Sequence, residues 1–273
     1  MPGVAMHVAS SDLRSVNGGG IVLRFAKLGE RAFVQADVPA EGSAGTPLEE
    51  ACTRPHWGLV MDGEVELERG DRRALLGPAT AFHVPAGGPA HRFRALHGAR
   101  MASFDPIDET IDLSEAGLRA LGLKLTADGA SPLSPSLVPT AAELAELATG
   151  RVEARGAMMG SLVITRAYFG PKSGYATNPC HLSHWGIVTS GSVVLETPDE
   201  TAILGPGDVF ACPPGPPGHR ILAADPASLI DYTPLAEIST SAQIADWRRE
   251  AFRRIAGHGR RADRVDRVEI AAL

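Results

Sequence analysis

Three side chains able to bind a cation recur in this chain at one fixed interval. Cys52, His56 and His91 return as Cys180, His184 and His219, each 128 residues later. A thiolate with two imidazoles suits Zn²⁺ or Fe²⁺ better than the hard ions that prefer oxygen. Three protein ligands also leave a coordination position for water or substrate, as catalytic metal sites do. A cysteine by itself has other readings: a small buried residue, or a nucleophile. Its recurrence beside a histidine four residues on favours the ligand reading, because packing does not explain the spacing.

The six residues sit inside a longer repeat. Cys52 to Arg92 aligns without a gap on Cys180 to Arg220, and the two segments are identical at about half their positions. Besides the Cys and His residues, the matches are turn residues and strand-core aliphatics. On a strand, residues two and four apart share a face. Cys180 and His184 then point one way with Asn178, and the matching set in the first copy is Glu50, Cys52 and His56. His91 and His219 each follow a Gly/Pro turn, PAGGPAH and PPGPPGH. A closed sheet that lays this later strand beside the first would gather Cys, His and His around one point.

The elements expected to carry these residues are short strands. IVLRFAKL, RAFVQADV, HWGLVMDG, EVELERGD, RALLG, TAFHVPAGG, HRFRAL and ARMASF are bounded by Gly, Asp and Pro, the pattern of a sandwich or barrel. Residues 1–20 read as an irregular lead-in ending in Asn17-Gly18-Gly19-Gly20. Between the repeats, SEAGLRALGL and TAAELAELA carry helix signals around a Pro-punctuated connector. STSAQIADWRREAFRRIAGHG at the end reads as a helix with a Thr240/Gln243 capping box. The expected domains are 1–110 and 161–238, a helical linker at 111–160, and a helix and tail at 239–273.

With 273 residues, a net charge of −6 and 44% hydrophobic residues, the composition is that of a globular protein with no electrostatic pull toward nucleic acid. No leader pattern and no apolar run of membrane-span length is present, so the expected location is cytoplasmic. Three cysteines, two of them equivalent, argue against a disulfide framework.

The two halves resemble the cupin superfamily. Its pattern is HxH, a Glu seven positions before a Gly, a Gly-Asp turn, then Pro-x-Gly and a His. Counting back from Gly191 puts His184 at the Glu position, Cys180 at the second His and Asn178 at the first. From Gly63 the same places fall to His56, Cys52 and Glu50, while His91 and His219 match the last His. The resemblance implies an all-β bicupin, two tandem double-stranded β-helix (jelly-roll) barrels, each holding one divalent metal. The departures favour Zn²⁺ or Fe²⁺ over the family's usual set, with Mn or Ni as further options. Glu50 would add a fourth ligand to the first site.

Other residues have blander readings. His83, matched by Ala211, reads as a core or pocket histidine and is the best general-base candidate for the first site. Cys212 reads as buried, His181 as surface or lining, and Trp57 and Trp185 as packing on the opposite strand face. The functional expectation is a metal-dependent enzyme acting on a small organic molecule. Its chemistry would be of Lewis-acid isomerase, lyase or hydrolase type, or that of an iron dioxygenase. The alternative is a non-catalytic small-ligand or storage protein. A homodimer is also expected, since such barrels expose sheet edges.

Overall fold

A computed structural model of the chain describes residues 6–18, 20–107, 124–125, 152–174, 179–198, 200–240 and 269–272. The expected helices in the linker and after residue 240 fall outside these residues, as does Asn178. In chain order the strands are β1 (Met6–Val8), β2 (Arg14–Gly18), β3 (Ile21–Leu28), β4 (Arg31–Val38), β5 (His56–Asp62), β6 (Val65–Arg69) and β7 (Arg72–Leu76). They continue as β8 (Thr80–Val84), β9 (His91–Arg94), β10 (Ala99–Pro106), β11 (Lys124–Leu125), β12 (Val152–Met159), β13 (Leu162–Phe169), β14 (Ser173–Gly174) and β15 (His184–Ser190). The last are β16 (Val193–Glu196), β17 (Thr201–Leu204), β18 (Val209–Cys212), β19 (Arg220–Ala223), β20 (Ala227–Pro234) and β21 (Glu269–Ala272), with helix α1 (Leu235–Thr240) after β20.

The chain divides into two units, each an all-β barrel of two facing sheets. The first comprises Leu13–Gly129 and Arg264–Leu273, the second Met1–Asp12 and Ala130–Asp263. In the first, the large sheet runs β11-β2-β3-β4-β10-β5-β8-β21 against β7-β6-β9. In the second, β1-β18-β15-β20-β13-β12 faces β14-β19-β16-β17. The repeat is visible in this order: β4-β10-β5-β8 corresponds to β13-β20-β15-β18.

Three features depart from the sequence reading. The start of the chain is regular: β1 adds to the second barrel along β18, with Met6 opposite Ala211. The glycine run turns a hairpin, with Gly18 paired to Ile21 and Gly20 at φ +92°. The second barrel begins at β12 rather than at residue 161, because Val152–Met159 pairs residue for residue with β13. At the other end β21 covers β8. The free edges of β8 and β18 are thus each paired by a strand from the opposite end of the chain, which caps two of the edges that suggested dimerisation.

Each barrel is filled from alternating strand positions. Val60, Phe82, Val84, Phe93 and Met101 are among the core of the first, and Val188, Phe210, Cys212, Ile221 and Leu229 among that of the second.

Candidate metal centres

Each centre begins with a backbone clasp. Cys52 and His91 form an antiparallel bridge in which each N–H donates to the other's carbonyl at 2.8 Å. Cys180 and His219 repeat it at 2.7 and 3.0 Å. The third residue opens the following strand, His56 on β5 and His184 on β15. Residues four apart on a straight strand would stand about 13 Å from each other. Here Arg54 and Leu182 occupy bends, so the chain doubles back between Cys and His. Cys52 Sγ lies 3.4 Å from His56 Nε2, and Cys180 Sγ 3.2 Å from His184 Nε2. The bend, and not strand alternation, makes the two side chains converge.

Within each set the ligand atoms lie within 4.8 Å of one another. The imidazoles meet edge to face, with centroids 5.0 Å apart for His56 and His91 and 5.1 Å for His184 and His219. Two residues beyond the ligand histidine, a glycine lets an aromatic ring pack directly on the strand backbone. A Cβ on Gly58 would come within 2.3 Å of Phe82 Cζ, and one on Gly186 equally close to Phe210 Cζ.

A carboxylate and a hydroxyl stand behind the ligand histidine in both barrels, and sequence reasoning missed them. His56 Nδ1 lies 2.9 Å from Asp105 Oδ2, which also accepts from Ser103 Oγ at 2.9 Å. In the second barrel His184 Nδ1 is 2.8 Å from Thr233 Oγ1 and 3.5 Å from Asp231 Oδ1, so the hydroxyl is the nearer partner there. An Nδ1–H donated to these oxygens fixes the tautomer whose Nε2 faces the sulfur.

These contacts set the charges. Hydrogen bonds from His56 and His91 draw the Cys52 thiol down to about 5. Burial would depress His56, but its bonds to Asp105 and Cys52 outweigh that and raise it to about 9. Burial opposes ionisation of Cys180 as well, yet the His184 charge and the imidazole bonds bring it to about 4. For His184, burial is overcome chiefly by the Cys180 charge and by Asp231, giving about 10. Burial lowers His219. In the metal-free protein each centre is therefore a thiolate beside an imidazolium.

The other expected residues lie elsewhere. Glu50 is exposed and outside the convergent set. His83 is directed away from the first centre: it pairs with Trp57 on the opposite sheet face and stacks on that indole at 4.9 Å. Its neighbours Phe82 and Val84 take the lumen positions, so alternation sends His83 outward. Burial, then the Arg69 charge, lowers it to about 4. Trp57 also carries the Arg31 guanidinium over its face at 4.9 Å. Cys212 is buried opposite His184, and burial pushes its thiol up. His181 packs on the turn before His219, where a Cβ on Gly218 would meet its ring at 2.4 Å.

The donor set fits a small, borderline-soft cation. A tetrahedral ion with bonds of about 2.0–2.3 Å holds its ligands roughly 3.3–3.8 Å apart. The Cys-to-His separations of 3.4 and 3.2 Å fall near that range. Besides the imidazole bonds to sulfur, one ring nitrogen of each remaining histidine, His91 Nε2 and His219 Nδ1, is buried with no hydrogen-bond partner.

No protein-family model matches this chain, and no curated protein sequence does. Solved structures do match it. One of oxalate decarboxylase, concerned with its substrate binding mode and reaction specificity, superposes with a TM-score of 0.57 at 14% identity, covering 84% of this chain and 77% of that one. The Bacillus subtilis enzyme at pH 4.6 gives 0.56 at 15%, covering 84% and 76%. A structure of the same enzyme that addresses its Mn(II) centres gives 0.55 at 15%, covering 84% and 77%. The fold is therefore all-β and that of the oxalate decarboxylases, a double cupin barrel. No described helix is long and apolar enough to cross a membrane.

Proposed function

We propose that this chain is a metal-dependent bicupin enzyme acting on a small organic molecule, with one Zn²⁺ or Fe²⁺ per barrel. Cys52, His56 and His91 would hold one ion, and Cys180, His184 and His219 the other. The observation that carries the reading is the convergence of three ligand atoms within 4.8 Å in each barrel. A bound cation of this kind supplies Lewis-acid polarisation of substrate oxygens at its open position. Asp105, Asp231 and Thr233 hold the ligand imidazoles in the binding tautomer. Phe93 packs edge-on against both His56 and His91 and shields that side of the first set from water. The shared fold with oxalate decarboxylase supports a lyase among the Lewis-acid reactions, and iron-dependent dioxygen chemistry is the competing enzymatic form.

A second reading has its own observation: Cys52, His56 and Asp105 form a Cys-His-carboxylate series, the layout of an activated thiol nucleophile. Metal analysis of purified protein separates the readings. Stoichiometric metal, lost in Cys180→Ser and His219→Ala, supports the metalloenzyme; no metal, with rapid alkylation of Cys52, supports the nucleophile. No metal and no alkylation would leave a ligand-binding barrel. Aerobic and anaerobic assays after iron loading distinguish dioxygenase from Lewis-acid chemistry.

A further inference from the structure

Among the described residues, what covers the two ligand loops differs. In the second barrel Cys180 is only 8% exposed and belongs to an apolar cluster with Val163, Leu182 and Ile238, against which Leu235 also packs. Leu235 and Ile238 come from α1. From the same helix, Glu237 grips the ligand loop at a single residue. The Ser183 N–H donates to Glu237 Oε2 at 2.6 Å, and Ser183 Oγ donates to Oε1 at 2.7 Å. The start of α1 is anchored as well, the Leu235 N–H donating to Ser161 O at 2.9 Å.

The first loop cannot be closed this way. Ser183 corresponds to Pro55, which has neither an N–H nor a hydroxyl to offer. Leu182 corresponds to Arg54, which is exposed, and Cys52 itself is only half-buried. Position 109 keeps a Glu, the counterpart of Glu237, yet the two-pronged bond it would make has lost both donors.

We propose that the two centres differ in kind. The first exchanges its cation and admits a small ligand to the open coordination position, while α1 seals the second, whose cation is a structural fixture. This rests on the metal reading above. For the second cation to leave, α1 must part from the loop, breaking two charge-assisted hydrogen bonds and uncovering Leu182 and Ile238.

The test is chelator-driven release from the full chain loaded with Zn²⁺, paired with iodoacetamide labelling of the metal-free protein mapped by mass spectrometry. The expected result is one fast and one slow equivalent of zinc, separated by about tenfold or more, the cost of opening two such bonds. Cys52→Ser removes the fast class and Cys180→Ser the slow one. Glu237→Gln and Ser183→Pro, the latter copying the first loop, speed the slow class and leave the fast class unchanged. In the metal-free protein Cys52 is alkylated before Cys180, and Glu237→Gln narrows the gap. Release of both equivalents at one rate, or a slow class indifferent to both variants, overturns the proposal. If no zinc binds but the alkylation order and its response to Glu237→Gln hold, the seal stands and the metal reading falls. Equal alkylation of the two cysteines sinks the seal whatever the metal does.

Discussion

His56 Nδ1 lies 2.9 Å from Asp105 Oδ2, yet Asp105 is aligned with Thr233 in the repeat, and Ser103 with Asp231. The carboxylate and the hydroxyl behind the ligand histidine have exchanged places between the barrels. One negative charge survives in each centre although neither position is retained. Asp105→Asn is expected to weaken metal binding at the first centre by about 10–100-fold. The double exchange Ser103→Asp with Asp105→Thr reproduces the second barrel and should recover most of that loss. Competition titration against a chromogenic chelator measures both; a double exchange no better than Asp105→Asn would show that position, and not composition, matters.

Metal binding should release a proton from a ring and not from sulfur. In the metal-free first centre the Cys52 thiol sits at about 5 and His56 at about 9. At about pH 8 an ordinary imidazole is neutral, but His56 still carries a proton that a cation must displace. Raising the pH removes that proton beforehand, so affinity climbs about tenfold per pH unit and levels off above the raised His56 value. Calorimetry in buffers of differing ionisation enthalpy should find about one proton released at this centre at that pH. In the metal-free protein a Cys52 thiolate ultraviolet band that appears only above about pH 8 would contradict this assignment, because the sulfur would then carry the proton that binding displaces.

Two small substitutions in the first barrel should move stability in opposite directions. Gly58→Ala places a Cβ within 2.3 Å of Phe82 Cζ and 2.6 Å of the Ala102 carbonyl on the adjacent strand. The overpacking should cost about 1–3 kcal/mol. Ala79 occupies φ +61°, where the second barrel has Gly207 at +87°. Ala79→Gly relieves that left-handed strain and should stabilise by up to about 1 kcal/mol. Denaturant midpoints check both; a stabilising Gly58→Ala would mean that Phe82 does not pack on the β5 backbone at Gly58.

Much of the architecture is legible in the chain because the duplication prints it twice. The Cys, the two His and the turns stand out by recurring at one interval, and short runs between Gly and Pro announce strands. The carboxylates are hidden from the same comparison, since Asp opposite Thr and Ser opposite Asp read as ordinary drift. The alternation of the last strand of each repeat, with Ser103 and Asp105 on one face, was the available signal. The reading of His83 as a core or pocket histidine agrees with its burial against Trp57, while its candidacy as a general base meets Phe82 and Val84 in the inward positions. Glu50 precedes the Cys52 clasp and is exposed, so the extended spacing that would have brought it to the ligands is not realised. The exchanged end strands β1 and β21 are too short, at three and four residues, to carry a periodic pattern.

The coordination shell decides the central claim. X-ray absorption at the metal edge of the purified, fully loaded chain should give one sulfur and two imidazole nitrogens per ion, with two ions per chain and the sulfur lost from one ion in Cys52→Ser and from the other in Cys180→Ser. A shell built only of nitrogen and oxygen, unchanged in both variants, would contradict it.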